Sequence, residues 1–457
     1  MDLQRQLGLP TATLTVVASM MGTGIFFTTG IILSMTHNAL TVLILWILGG
    51  ITALSGALCY VELATLWPQT GGEYVYLKNI YGRLPAFLTG WISLVVGFSA
   101  PVATGALALV SYLNAFHRDM QAIPEQATDL IPDLWAQKGL AAAIVILLSL
   151  MHMAGVRLGS SIQNVLTVVK LLIAASFVIG GLYLADWSQA GRLTADYPWS
   201  QTSADGGLPT LGLSLLIIMF SYSGWNAASY IAGEIKEPER NLPKALVLGT
   251  VVTGLLYFLL NIVYLIAVPG QNLMGQEAVG AITARNLFSL PVVQFYTLGI
   301  VLILLSSISV QMMIGPRVYY AMAKDHLMFS PLARINPRLG TPVASIALQM
   351  VLAVAYVLTG SAQKLLEYMG FALVVFPLLA VFGLIKLRRG KSGLDRPYRF
   401  RFYPWAPLIY MVMTVAMAVA GLMTWTRTTW FALGVVLAGI PVFYIWEKYS
   451  NRRSISE

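Results

Sequence analysis

The chain has 457 residues, of which 57% are hydrophobic and 10% charged, and its mean hydropathy is +0.74. A soluble domain carries about 25% charged residues, so an ordinary soluble domain and a disordered chain are both excluded. The net charge of +9 is scattered singly between apolar runs rather than gathered on one face, which argues against a nucleic-acid partner and for a lipid bilayer.

A membrane-spanning helix needs about 20 mostly apolar residues. In chain order the sequence offers twelve such windows: 10–35, 40–66, 84–116, 139–156, 161–185, 209–232, 243–268, 289–323, 341–359, 364–387, 404–424 and 428–447. The third and eighth exceed 30 residues, which tilt or extension into water accommodates. No cleavable signal peptide is expected, because Asp2 and Arg5 precede an apolar stretch too long for an h-region.

Twelve spans put both termini on one side of the membrane. With the N terminus assigned to the cytoplasm, the inner loops hold 21 Lys and Arg residues and the outer loops 6, the one remaining being Lys170 inside the fifth window. That split obeys the positive-inside rule. The outer segments 117–138 and 186–208 are polar and acidic and read as loops or short surface helices. With no linker and no low-complexity tract, the expectation is one all-α integral membrane domain, 1–457. Cys59, the single cysteine, allows no intrachain disulfide, and His37, His117, His152 and His326 show no ligand spacing, so no metal or other cofactor is expected.

The first window carries Met21-Gly22-Thr23-Gly24-Ile25-Phe26 near its middle, and the sixth carries Phe220-Ser221-Tyr222-Ser223-Gly224-Trp225. Glycine costs about 1 kcal/mol against alanine in a helix, and Ser and Thr compete for backbone hydrogen bonds. Either stretch alone also suits close packing of small residues. Together they carry more. Windows one to five cover 10–185 and windows six to ten cover 209–387, nearly equal lengths that each open with a weakened helix. Five spans is an odd number, so the second set inserts upside down relative to the first, and 404–424 and 428–447 are two additional helices.

Inverted repeats whose first helices are discontinuous enclose a midplane site, because unwound backbone in a membrane must line a cavity. The N–H groups around Gly22, Thr23, Gly24 and Ile25 would face an anion at a helix N-terminus. Carbonyls freed around Phe220, Ser221, Ser223 and Gly224 would accept from an ammonium. Both features fit the carboxylate and amine of a free amino acid held by main chain.

Lys170 lies nine residues past Ser161 in the fifth window, roughly 14 Å into a core about 30 Å thick. A charge at that depth needs a partner or a polar cavity. The other reading is a helix that starts elsewhere, with Lys170 near its cytoplasmic end.

These motifs resemble those of the amino acid–polyamine–organocation transporters. Gly22-Thr23-Gly24-Ile25-Phe26 is similar to their GSGIF, and Phe220 to Asn226 to their FAYGGWN. Glu234-Ile235-Lys236 with Pro238 to Pro243, Tyr60 to Leu63 through Pro68, Gly71-Gly72, Tyr74 to Leu77, and Arg317 to Asp325 follow in the family order. Residues 257–264 resemble the seventh helix of the L-amino acid transporter subgroup. The likeness covers about residues 10–387 and implies a LeuT-like fold, a 5+5 inverted repeat with two extra helices, working by alternating access.

The resemblance also implies roles. Relatives that use sodium hold it between helices one, five and eight, where the similar subgroup carries a lysine; Lys170 is its counterpart, with Ser306 and Ser307, or backbone near Gly22, as candidate hydrogen-bond partners. Two mechanisms stay open: a lysine that gains and loses a proton to drive symport, or a fixed ammonium that replaces sodium and gives an exchanger or facilitator, which the resemblance favours. Phe220 resembles the aromatic gate over the solute, or packs. Asn226 binds substrate or stabilises the broken helix, Tyr257 resembles a tyrosine near the lysine, and Glu62 reads as structural. Animal members join a glycoprotein through a cysteine between spans three and four; 117–138 has none, so no disulfide-linked heavy subunit is expected.

No acidic residue falls near the middle of windows one, three, six, eight or ten, which points to a neutral amino acid, although a loop acid can enter a folded vestibule. A lipid-acting enzyme lacks its His/Asp/Cys constellation, and a receptor on this fold would carry a soluble output domain. The expectation is a sodium-independent carrier of neutral L-amino acids in the cytoplasmic membrane.

Overall fold

The computed structural model describes residues 3–121, 130–196, 207–276, 278–360, 362–390, 396–424 and 427–454. Among them no β-strand forms, only the isolated bridges Leu7–Ile235 and Asn38–Asp196. The helices in chain order are α1 (Leu9–Met20), α2 (Gly24–Thr36), α3 (Ala39–Leu66), α4 (Glu73–Tyr81), α5 (Arg83–Ile92), α6 (Ser99–Gln121), α7 (Leu134–Met153), α8 (Val156–Leu184) and α9 (Leu208–Tyr222). Then come α10 (Ala227–Tyr230), α11 (Pro238–Ala267), α12 (Gly270–Leu273), α13 (Val279–Leu287), α14 (Leu290–Lys324), α15 (Val343–Thr359), α16 (Ala362–Arg389), α17 (Trp405–Thr424) and α18 (Arg427–Ser454).

Local chemistry sets several boundaries. Asn38 caps α3 by accepting from the Thr41 N–H at 2.5 Å, and Asp133 caps α7 by accepting from Ala136 N–H at 2.7 Å. Proline opens α1, α9, α11 and α14, where its missing N–H is no loss. Among the described residues, seven helices are long and apolar enough to cross a membrane, and α1, α9 and α15 are shorter apolar helices. The third window runs through α5, a π-helical turn at Ser93–Phe98 and α6; Ser99 Oγ donates to Leu94 O at 2.6 Å across that turn. The eighth is α14, 35 residues long.

α14 packs along α6 and α8, and α11 packs along α1 and α3. α17 covers α9 and α3, while α18 covers α5. Leu147, Leu172, Ile179, Leu255 and Val351 stand exposed on outward faces, an arrangement that water penalises and lipid does not. Of the predicted outer segments, 122–129 and 197–206 lie outside the described residues; Trp187–Thr194 forms a 3-10 helix without buried side chains.

Polar contacts tie one end of the bundle together. The N–H groups of Gln6 and Leu7 donate to Glu234 O at 2.8 and 2.9 Å, and Lys236 N–H donates to Leu7 O at 2.8 Å. Arg317 on α14 forms a two-pronged pair with Glu234, 2.9 and 3.1 Å, with both side chains buried. Beside it Asp325 accepts from Lys78 Nζ at 2.6 Å and from the Tyr74 hydroxyl at 2.7 Å. Glu62 pairs with Arg388 and, at 3.6 Å, with Arg396, which fits its structural reading.

Candidate functional site

The first predicted window is occupied by two helices, with Met21 to Thr23 between α1 and α2. The sixth holds α9 and the single-turn α10, with Ser223 to Asn226 between them. The two intervening stretches meet. A Cβ on Gly24 would lie 2.3 Å from Ser221 Oγ and 2.9 Å from Ser221 Cα; one on Gly224 would lie 2.2 Å from Ser19 Oγ and 2.8 Å from the Ser19 carbonyl carbon. Gly224 also adopts a φ of +96°, which glycine takes without penalty. The Thr28 and Ser221 hydroxyls complete the contact at 3.0 Å.

Where α1 stops, its last carbonyls need donors. Three other helices supply them. Lys170 Nζ, from α8, donates to Ala18 O at 3.1 Å and to Met21 O at 2.6 Å, and its side chain is wholly buried. Ser307 Oγ, from α14, donates to Met21 O at 2.9 Å and lies 3.3 Å from Ala18 O. The Tyr257 hydroxyl, from α11, lies 2.6 Å from Met20 O and 3.1 Å from Ser221 O, so one group touches both stretches. A positive side chain at a helix C-terminus meets the negative end of the helix dipole.

Ser306 is arranged differently from the expectation. Its carbonyl and hydroxyl both accept from Gln163 Nε2 at 3.1 Å, and among the described residues no hydrogen bond joins Lys170 to either serine. Adjacent residues on a helix point about 100° apart, so only Ser307 reaches the α1 terminus.

A cavity opens beside these contacts. Gly22, Thr23, Gly24 and Ser307 line one side; Phe220, Ser221, Ser223, Gly224 and Asn226 line the other. No side chain caps α2, and among the described residues the Gly24 and Ile25 N–H groups have no partner. Ser19 Oγ and Gln311 Oε1, both on the wall, are also without a hydrogen-bond partner among the described residues. Phe98, Pro101, Leu304 and Phe376 make much of the remainder apolar. Ile25 was expected on the wall but its side chain is fully buried in the core, and Lys170, Tyr257 and Ser306 lie behind the lining.

The family described as Amino acid permease matches residues 7–445. The chain belongs to that family. It is a multi-pass membrane transporter of amino acids, not an enzyme. It is 29% identical over 452 residues to the b(0,+)-type amino acid transporter 1 of Homo sapiens, covering 98% of this chain and 89% of the relative. It is 27% identical over 450 residues to the serine/threonine exchanger SteT of Bacillus subtilis (strain 168), 98% of each chain. The large neutral amino acids transporter small subunit 2 of Homo sapiens shares 26% over 456 residues, 98% of this chain and 82% of the relative.

Among the wall residues of this permease that the sequence did not single out is Glu73, the first residue of α4. Gly71 at φ +125° and Gly72 at φ +55° turn the chain so that it enters the bundle, and Gly71 N–H donates to Tyr230 O at 3.0 Å. Asn226 Nδ2 donates to Glu73 Oε1 at 2.5 Å and lies 3.2 Å from the Tyr230 hydroxyl. The Asn226 amide nitrogen is thus engaged by protein. The Gly71-Gly72 pair was the available signal, because two adjacent glycines before an acid mark a turn that no regular element explains.

Proposed function

We propose that this permease exchanges neutral L-amino acids across the cytoplasmic membrane without sodium, by alternating access. Twelve spans cross the bilayer with both termini in the cytoplasm, five helices repeated upside down and two more at the end, in one domain. The first and sixth spans are interrupted, and substrate lies between the interruptions. The N–H groups at Gly24 and Ile25 receive its carboxylate, and main chain near Phe220 to Ser223 its ammonium, with Phe220 closing over it.

The observation that carries the reading is Lys170, whose ammonium donates to the carbonyls of Ala18 and Met21 at the end of α1. A cation built into the chain stabilises that terminus with no ion taken from solution, so transport needs no sodium gradient and proceeds by exchange. The serine/threonine exchanger name of SteT supports exchange, and that name and the large-neutral one support a neutral side chain. A carboxylate, Glu73, does stand on the cavity wall, so the neutral side chain rests on the relatives' names and not on an acid-free cavity. With one cysteine, buried at Cys59, the chain works without a disulfide-linked partner.

The test is uptake of labelled L-serine, L-threonine and L-leucine into proteoliposomes, with and without unlabelled amino acid inside. Uptake that requires internal substrate and ignores sodium is expected. Uptake indifferent to internal substrate but driven by an imposed pH gradient would transfer the assignment to proton symport through Lys170.

A further inference from the structure

Among the described residues, Glu73 stands apart from the other buried and half-buried acids. Glu62, Glu234 and Asp325 each have a basic partner, whereas among the described residues Glu73 has none. Its side chain is buried, it lies on the cavity wall, and its hydrogen bond with Asn226 crosses from the start of α4 to the start of α10. A buried carboxylate bonded only to neutral donors is poorly compensated as an anion, and its contact to Asn226 weakens when a proton occupies it.

Among the described residues the surroundings leave no other charge to settle the matter. The titratable groups that face Glu73 are tyrosines: Tyr60 from α3, Tyr76 from its own helix, Tyr230 from α10 and Tyr410 from α17. The described charged groups on the helices packed against α4 are engaged elsewhere or, like Arg389 of α16, exposed. On α14 Arg317 is held by Glu234; Asp325 after it is held by Lys78, and Lys324 sits over the Tyr320 ring. On α16 Arg388 is held by Glu62 and Lys386 sits over the Tyr81 ring; on α5 Arg83 pairs with Glu447 at 3.3 Å.

Resting on the exchange reading above, we propose that Glu73 is a proton site at the foot of the cavity: ionised, it ties α4 to Asn226 and the start of α10; protonated, it releases them, so that exchange follows pH. Burial pushes its carboxyl up to about 7, against hydrogen bonds from Tyr60, Tyr230 and Asn226 that pull it down. The tie therefore forms above that pH and is lost as pH falls through it. Opening the cavity at this end requires α4 and α10 to separate, so exchange accelerates in acid. Glu73 acts here as a positioning residue through Asn226.

The test is homo-exchange of labelled L-serine or L-leucine in proteoliposomes carrying the full-length protein, at equal pH on both sides, from about pH 5.5 to about 8.5, a range that brackets a carboxyl displaced this far. The wild type is expected to slow about tenfold across that range, the scale of one charge-assisted hydrogen bond. Glu73→Gln should hold the acid rate at every pH, and Glu73→Asp should keep the dependence with a displaced midpoint. A flat wild-type profile overturns the proposal, as does a wild-type pH dependence retained in Glu73→Gln. Should Glu73→Gln not fold, an unmoved midpoint in Glu73→Asp overturns it. Exchange that is present but indifferent to pH defeats Glu73 alone; no exchange of any amino acid at any pH defeats the transport reading beneath it.

Discussion

Lys170 puts a cation among apolar residues of α8, and what makes it tolerable is the set of carbonyls left open where α1 ends at Met20. Removing it leaves those carbonyls short of donors, each at about 1–3 kcal/mol when buried. Lys170→Ala is therefore expected to lower exchange by about a hundredfold or more while the protein still elutes as a single species in detergent; wild-type exchange would remove Lys170 from the mechanism. Gly224→Ala should be worse for folding than for chemistry alone, since its φ of +96° costs a side chain about 1–3 kcal/mol and the new Cβ meets Ser19 main chain at 2.8 Å. A lowered thermal midpoint that trimming Ser19 to glycine does not restore is the expected outcome. Depth along the fifth window was enough to single out Lys170 in the sequence. Which carbonyls it meets, Ala18 and Met21, was not legible, because they lie about 150 residues away along the chain, and Ser306 and Ser307 look alike until the helix face is known.

The helices α1 and α9 are held by different devices from the long helices around them. Their own apolar lengths are 12 and 15 residues, and donors from α8, α11 and α14 supply what the interrupted backbone lacks. Gly, Ser and Thr clusters made both weak points readable from the sequence, whereas α4 and α13 were not foreseen, being short and amphipathic where hydropathy averages low. At the end of the bundle where the N terminus lies, the Glu234–Arg317 pair joins the loop after α10 to α14. Its burial predicts strong coupling. Arg317→Met and Glu234→Gln singly should each destabilise by about 3–5 kcal/mol by stranding a charge, and the double variant by clearly less than their sum, measured by thermal or chemical unfolding in detergent. Additive losses would mean that the two charges are solvated independently.

For the molecule as a whole, the excess of Lys and Arg on one set of loops predicts a topology that labelling can read. Cys59 is buried, so single introduced cysteines stand out against it. Trp187→Cys, in the exposed 3-10 helix after α8, should react with an impermeant maleimide from outside intact cells, and Glu237→Cys, exposed beside the N-terminal segment, only in inverted vesicles. The opposite pattern would reverse the orientation. Hydropathy and charge distribution, which are summed along the chain, were sufficient for the membrane class and the all-helical architecture, because each helix satisfies its own backbone and advertises itself locally, while the family likeness rested on short motifs such as Gly22–Phe26 and Phe220–Asn226. The tertiary structure alone decided which carbonyls at the end of α1 each donor reaches, that Ile25 turns from the cavity while Glu73 enters it, and that Asn226 is bound to the first residue of α4. Those outcomes depend on which faces of distant helices meet, and no local pattern encodes the rotation of one helix against another.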